Sequence, residues 1–166
     1  MTDQTTQLLA AIRTAQQQHE RFKVGFWQFA LNNLASEIPA AIITQFESLK
    51  MTHSEMEILS QLTTFKTNLV PYKTLQAQVS FSQGMFSRYI NRLAKTELIT
   101  KTKQPDNKKE VLLTITQTGR YVAKLHTRMH QLEQEHNEAV LAQFSKDEVQ
   151  TTIKVLNSLN SNETEL

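Results

Sequence analysis

His126 and His130 lie four residues apart in a stretch of helical periodicity. That spacing puts both imidazoles on one helix face, the arrangement a divalent cation needs from a pair of nitrogen ligands. The competing reading is two histidines on the surface or interface of a helix otherwise rich in Gln and Glu, with His136 away from the pair. A second set of side chains could read a polyanion. Gln83, Ser87, Arg88 and Asn91 share the polar face of a short amphipathic stretch, and Arg92 and Lys95 continue it. Gln and Asn suit the adenine edge and Arg the guanine edge, while Arg92 and Lys95 suit phosphates. Lys73, Thr74 and Ser82 precede this stretch, and Lys101, Lys103, Lys108 and Lys109 follow it. Together they complete the candidate DNA-contact set. The same residues could equally form the solvated side of an ordinary helix.

Charge distribution favours the DNA reading. Between Tyr72 and Glu110 there are eight basic and three acidic residues, a net of +5 in a chain whose total is +2. The remainder is therefore net −3, and one basic segment on a mildly acidic body points to an anionic partner.

Other chemistries lack their residues. With no Cys, thiolate catalysis, disulfides, Cys-based zinc sites and thiol redox sensing are excluded. Gly25, Gly84 and Gly119 are isolated, so there is no glycine-rich phosphate loop, and no Ser-His-Asp arrangement follows from spacing. The expectation is a protein that is not an enzyme. The start of the chain, MTDQTTQLLAAIRTAQQQ, has no apolar signal core, and no stretch is apolar for long enough to span a bilayer. Cytoplasmic location and no membrane partner are the default expectations.

The elements that must hold these residues are mostly helical, as three Gly and three Pro in 166 residues allow. A long helix is expected from Thr5 to Ser36, with Phe22, Phe26 and Phe29 in an apolar stripe beside Trp27, Leu31 and Leu34. Pro39 breaks it, and a second helix runs from Ala40 to Leu49. Thr52-His53-Ser54-Glu55 has the form of a capping box that opens a helix carrying Met56, Leu59 and Leu62 inward. Thr63 to Tyr72 connects to a short helix, Lys73 to Val79. Ser82 then N-caps the helix Gln83 to Lys95, whose apolar face is expected to be Met85, Tyr89, Ile90 and Leu93. Leu98–Lys103 and Glu110–Ile115 read as two strands around a Gln104–Lys109 turn. Thr116 caps a long helix reaching Phe144, and a second capping box, Ser145 to Glu148, opens a last helix through Leu159.

Helix, short helix, helix, β-hairpin, long helix is the winged helix-turn-helix order, in which one helix enters the major groove and the hairpin lies on the neighbouring backbone or minor groove. The residues TLQAQVSFSQGMFSRYINRLAKTELITKT and PDNKKEVLLTITQTGR carry a resemblance to the MarR family of bacterial regulators. FSQGMFSRYINRLAKTELI is similar to that family's recognition helix, and ITQTGR stands where its LT-x-x-G opens the helix after the wing. The family usually has Gly where this chain has Glu97. It also commonly carries Asp-x-Arg in the wing where this chain has Asp106-Asn107-Lys108-Lys109. Lysine lacks the planar fork of arginine, so base reading is expected to rest on Gln83 to Asn91.

The resemblance implies a mainly α fold with a two-stranded β-wing and long N- and C-terminal dimerisation helices. The regions expected are 1–50 and 117–166 for dimerisation and 51–116 for DNA binding, in one intertwined domain. It implies a homodimeric repressor on double-stranded DNA, holding a pseudo-palindromic operator and released by a small-molecule effector. Zinc-sensing members carry a His-x-x-x-His at about the place of His126 and His130 and add a carboxylate from the first helix, matched here by Glu20. Their further ligand corresponds to His53 or Glu57. Zinc is thus a candidate cofactor, none being required otherwise. The alternative of another class is a helical dimer of the same shape that binds protein and not DNA.

Overall fold

The structure is a computed structural model and describes residues 3–103 and 110–160. The elements are α1 (Asp3–Leu34), a 3-10 turn (Ala35–Glu37), α2 (Ala40–Ser48), α3 (His53–Thr64), β1 (Val70–Pro71), α4 (Tyr72–Gln76), α5 (Gln83–Lys95), β2 (Ile99–Lys103), β3 (Val111–Ile115), α6 (Gln117–Leu141) and α7 (Lys146–Asn160). They fall into two compact units, Met1–Met129 and His130–Leu166.

The larger unit is built around Phe26, Phe46, Met56, Leu59, Phe86, Ile90, Leu93, Leu98 and Leu113, all essentially without solvent exposure. The α1 stripe buries Phe26, Trp27, Ala30, Leu31 and Leu34 and leaves Phe29 48% exposed. On α5 the inward residues are Phe86, Ile90 and Leu93. Met85, expected inside, is 44% exposed. A helix turns by 100° per residue, and choosing Met85 over Phe86 shifts the apolar stripe by one such step. The sequence contains an apolar residue at both positions, and the packing of Phe86 edge-on against Tyr72 at 4.9 Å selects the latter.

Helix starts follow their side-chain chemistry. Thr52 and Glu55 form the full capping box of α3, each side chain bonding the other's backbone N–H. The Ser82 hydroxyl accepts from the Met85 N–H at the head of α5. The sheet carries a strand beyond the expected hairpin. Its order is β1-β3-β2, antiparallel throughout, with Val70 opposite Leu113 and Ile99 opposite Ile115. A two-residue strand containing Pro71 leaves no periodicity to read, and proline is tolerated there because the strand lies on an edge. The turn between β2 and β3, with Lys108 and Lys109, lies outside the described residues.

At the end of α5 the chain makes a Schellman motif. Leu98 N–H bonds the Leu93 carbonyl, Glu97 N–H bonds the Ala94 carbonyl, and Glu97 takes the left-handed conformation at φ 58°. A side chain there costs about 1–2 kcal/mol that glycine avoids. Glu97→Gly is therefore expected to stabilise the unit by about 1 kcal/mol in urea denaturation. A loss of stability would mean that the Glu97 side chain contributes something the backbone does not reveal.

In the smaller unit, Ser145 and Glu148 cap α7 reciprocally, and the Ser145 hydrogen bonds hold the Glu148 carboxyl below its ordinary value. Helix α7 leaves Ile153, Val155, Leu156 and Leu159 exposed. No helix among the described residues is long and apolar enough to cross a membrane.

Candidate nucleic-acid interface and histidine cluster

The basic surface is assembled from two adjacent elements, α5 and the edge strand β2. Gln83, Arg88, Asn91, Arg92 and Lys95 are exposed on α5, with Ser87 half-buried among them. Strand β2 buries Ile99 and exposes Thr100 to Lys103, so Lys101 and Lys103 stand out from the sheet. The Lys101 ammonium donates to Asn91 Oδ1 at 2.7 Å, which ties the wing strand to the helix face. Ser87, Asn91, Lys101, Lys103 and Tyr72 line an open cleft of about 310 Å³ between them. Lys73 and Thr74 are exposed on α4, and Ser82 is exposed at the head of α5.

Arg92 is engaged inside the chain. Its guanidinium lies 3.0 Å from Glu55 Oε1, and its second terminal nitrogen donates to the Lys50 carbonyl. Oε1 makes no hydrogen bond, so the contact with Arg92 is one of charge. The Glu55 side chain has no solvent exposure and that of Arg92 has 43%. Its other oxygen serves the α3 cap, accepting from Thr52 N–H and Oγ1. Helix α5 is thus bound to the first turn of α3. Nothing in the sequence pairs residues 55 and 92; the sequence shows Glu55 only as the third residue of a capping box.

A second fixed point holds the wing. The Thr116 N–H bonds the Leu98 carbonyl, its single hydroxyl proton is shared between the Glu97 and Leu98 carbonyls at 2.8 and 3.0 Å, and the hydroxyl oxygen accepts from Gly119 N–H. A Cβ on Gly119 would stand 2.1 Å from the Leu98 carbonyl oxygen. The Thr and Gly of ITQTGR therefore close one joint, where the end of α5, the root of the wing and the start of α6 meet.

His126 and His130 are one turn apart on α6, and His53 begins α3. One ligand nitrogen of each lies within 4.8 Å of the others. His126 is buried, against Phe26 at 5.3 Å and His53 at 4.8 Å between ring centres. Ser60 Oγ, itself bonded to the Ala123 carbonyl, lies 2.9 Å from His126 Nδ1, while His126 Nε2 faces His53 Nε2 at 3.3 Å. His130 Nδ1 lies 3.1 Å from Glu133 Oε2. Of the residues implied by the resemblance, His53 joins the pair. Glu57 and Glu20 do not: Glu20 is exposed on α1, ion-paired to Lys23 at 3.1 Å.

Residues 51–111 match the profile of the MarR family. YvnA of Bacillus subtilis (strain 168), described as an uncharacterized HTH-type transcriptional regulator, is 34% identical over 83 residues, 50% of this chain and 53% of that one. The HTH-type transcriptional regulator PchR of the same organism is 30% identical over 84 residues, 51% of this chain and 50% of its own. The chain spans about half the length of these curated relatives. The solved structure of ZitR, a zinc-responsive MarR family member from Lactococcus lactis, aligns with a TM-score of 0.59 at 20% identity. The alignment covers 69% of this chain and 77% of ZitR. ZitR in complex with DNA aligns with a TM-score of 0.58, also at 20% identity, over 69% of this chain and 76% of that one. At that identity the likeness is one of fold.

Proposed function

We propose that the chain is a MarR-like homodimeric DNA-binding repressor that reads a pseudo-palindromic operator through α5, a reading supported by the match of residues 51–111 to the MarR family profile. The observation that carries the reading is the single basic surface formed by the exposed face of α5 and the lysines of β2, joined at Asn91 and Lys101. Helix α5 has the length and polarity to enter a major groove, with Gln83, Arg88 and Asn91 facing bases. Lys95, Lys103, Lys108 and Lys109 hold phosphates in this reading, with Lys73, Thr74 and Ser82 flanking them. The apolar residues of α7 are what a second copy would cover.

The test is binding to the region upstream of the protein's own gene, followed across a salt series. Specific binding should weaken linearly in a double logarithmic plot. Arg88→Ala is expected to cost about 1–3 kcal/mol at one base position and relax discrimination there. Lys95→Ala is expected to weaken all sequences alike and flatten the salt slope by about one. Folded wild-type protein with no salt-sensitive binding to any DNA would point to the protein-binding alternative.

The histidine cluster supports a finer reading, a zinc-responsive regulator. Two nitrogens bound to one zinc at about 2.0–2.1 Å stand about 3.4 Å apart in a tetrahedral site. The 3.3 Å between His53 and His126 already fits this. Ser60 and Glu133 each hold a histidine Nδ1, which orients the opposite nitrogen, the supporting arrangement usual around metal-bound imidazole. Imidazole suits zinc, and three such ligands leave a fourth position for water. When bound, zinc would fix α3 to α6 through His53 and His126. Elemental analysis and zinc titration test this. His126→Ala with His130→Ala is expected to reduce zinc affinity by at least a hundredfold, and equal zinc content in wild type and double variant sinks the reading. A small organic effector is the other sensing route, favoured by an open cleft of about 500 Å³ lined by Lys23, Val24, Met51, His53 and Phe81.

A further inference from the structure

The contact between Lys101 and Asn91 bears on which base the recognition helix selects. Asparagine can read adenine with both halves of its amide, accepting from the N6 amino group and donating to N7. An ammonium has no lone pair, so the amide atom 2.7 Å from Lys101 Nζ must be the oxygen. The acceptor half of Asn91 is therefore committed to a cation, and the adenine amino group would have to approach it beside a positive charge. What remains to face a groove is the Asn91 NH2, the N–H groups of the Lys101 ammonium and one Oδ1 lone pair lying beside the positive charge, a set dominated by donors.

We propose that Lys101 on the wing strand sets the base preference of Asn91, converting it from an adenine reader into one half of a donor pair that selects guanine. Guanine presents O6 and N7 as two adjacent acceptors in the major groove and no donor there, which the paired donors of Asn91 and Lys101 match. Ser87, one turn back on α5 and lining the same cleft, can donate or accept and does not oppose this. The placement is specific to the fold. Lys101 is the third residue of β2, opposite Leu113 in the sheet, and strand alternation puts its neighbours Thr100 and Thr102 together on the other face. A wing shifted by one residue would present a threonine to Asn91 in its place. This inference rests on the DNA-binding reading of α5 and deepens it by assigning the chemistry of one base contact.

The experiment selects operator sequences from a randomised duplex pool with wild-type protein, then measures competition binding for all four bases at the position that Asn91→Ala makes indifferent. Wild type is expected to prefer guanine there by about tenfold over adenine. Lys101→Met keeps the stem and removes the cation. It is expected to bind all duplexes more weakly and to shift the guanine-to-adenine ratio at this position about tenfold towards adenine. Lys101→Arg, which restores donors, is expected to return the guanine preference. An adenine preference in wild type, or a ratio unmoved by Lys101→Met, overturns the proposal. Failure of the wild type to bind any duplex overturns the DNA reading together with it, and the absence of all salt-sensitive binding makes that outcome distinct.

Discussion

Gly119→Ala is expected to destabilise the chain by about 3 kcal/mol, although alanine is the better helix former. On helix propensity alone the change should gain about 1 kcal/mol. The opposing term is steric. A methyl group at position 119 would sit 2.1 Å from the Leu98 carbonyl oxygen and 2.9 Å from Ile115 Cγ1. The nearer atom is backbone and cannot swing aside. That carbonyl is also held in place, because it accepts from both Thr116 N–H and Thr116 Oγ1. Relief requires α6 to slide off the wing root, breaking those bonds. Overpacking of a rigid site costs about 1–3 kcal/mol and sometimes more, and this contact lies at the severe end. Urea denaturation of Gly119→Ala checks the sign. Gly25→Ala is the comparison: it lies inside α1 with nothing within 4 Å of the added methyl, and is expected to stabilise by up to about 1 kcal/mol. If both substitutions stabilise, the close approach of α6 to Leu98 is wrong.

Arg92→Ala is expected to cost about 2 kcal/mol of stability. Removing one partner of a buried ion pair costs about 3–5 kcal/mol, because the other charge is left without compensation. Here Glu55 is fully buried while Arg92 keeps 43% of its surface, so water recovers part of that loss. The Arg92 contact to the Lys50 carbonyl disappears as well. Glu55→Gln removes the buried charge while keeping an oxygen for the α3 cap. The double variant is therefore expected to lose clearly less than the sum of the single losses. The competing role for Arg92 is the phosphate contact read from the sequence. In that case Arg92→Ala leaves urea stability unchanged, lowers DNA affinity uniformly and flattens its salt dependence. The two measurements together separate a strut from an anchor.

How much of this was readable beforehand depends on sequence separation. Capping boxes join residues three apart, and both, Thr52 to Glu55 and Ser145 to Glu148, formed as their residue types required. The boundaries of α5 followed from Ser82 before it and the β-branched run after it. The pair His126 and His130 followed from one helical turn. The choice between His53 and Glu57 did not, since it depends on how α3 rolls against α6 across 73 residues of chain. The same holds for Phe86 against Met85, where two apolar neighbours leave the helix phase undetermined until the core chooses one.

Glu97 shows the division within one residue. Its departure from glycine was visible in the chain, and the left-handed backbone it occupies was the reason glycine is usual there. The partners of that turn, the Leu98 carbonyl with Thr116 and Gly119, were not visible, because they converge from opposite sides of the wing. The order of helices and strands, the basic segment and the absence of thiol chemistry could be read from the chain alone. These depend on periodicity, caps and composition, which act over a few residues. Tertiary structure alone decided that Arg92 braces α5 against α3, that Lys101 occupies the Asn91 oxygen and that His53 completes a three-histidine group. Each of those pairings joins side chains from different elements, and only the packing of the core sets the distance between them.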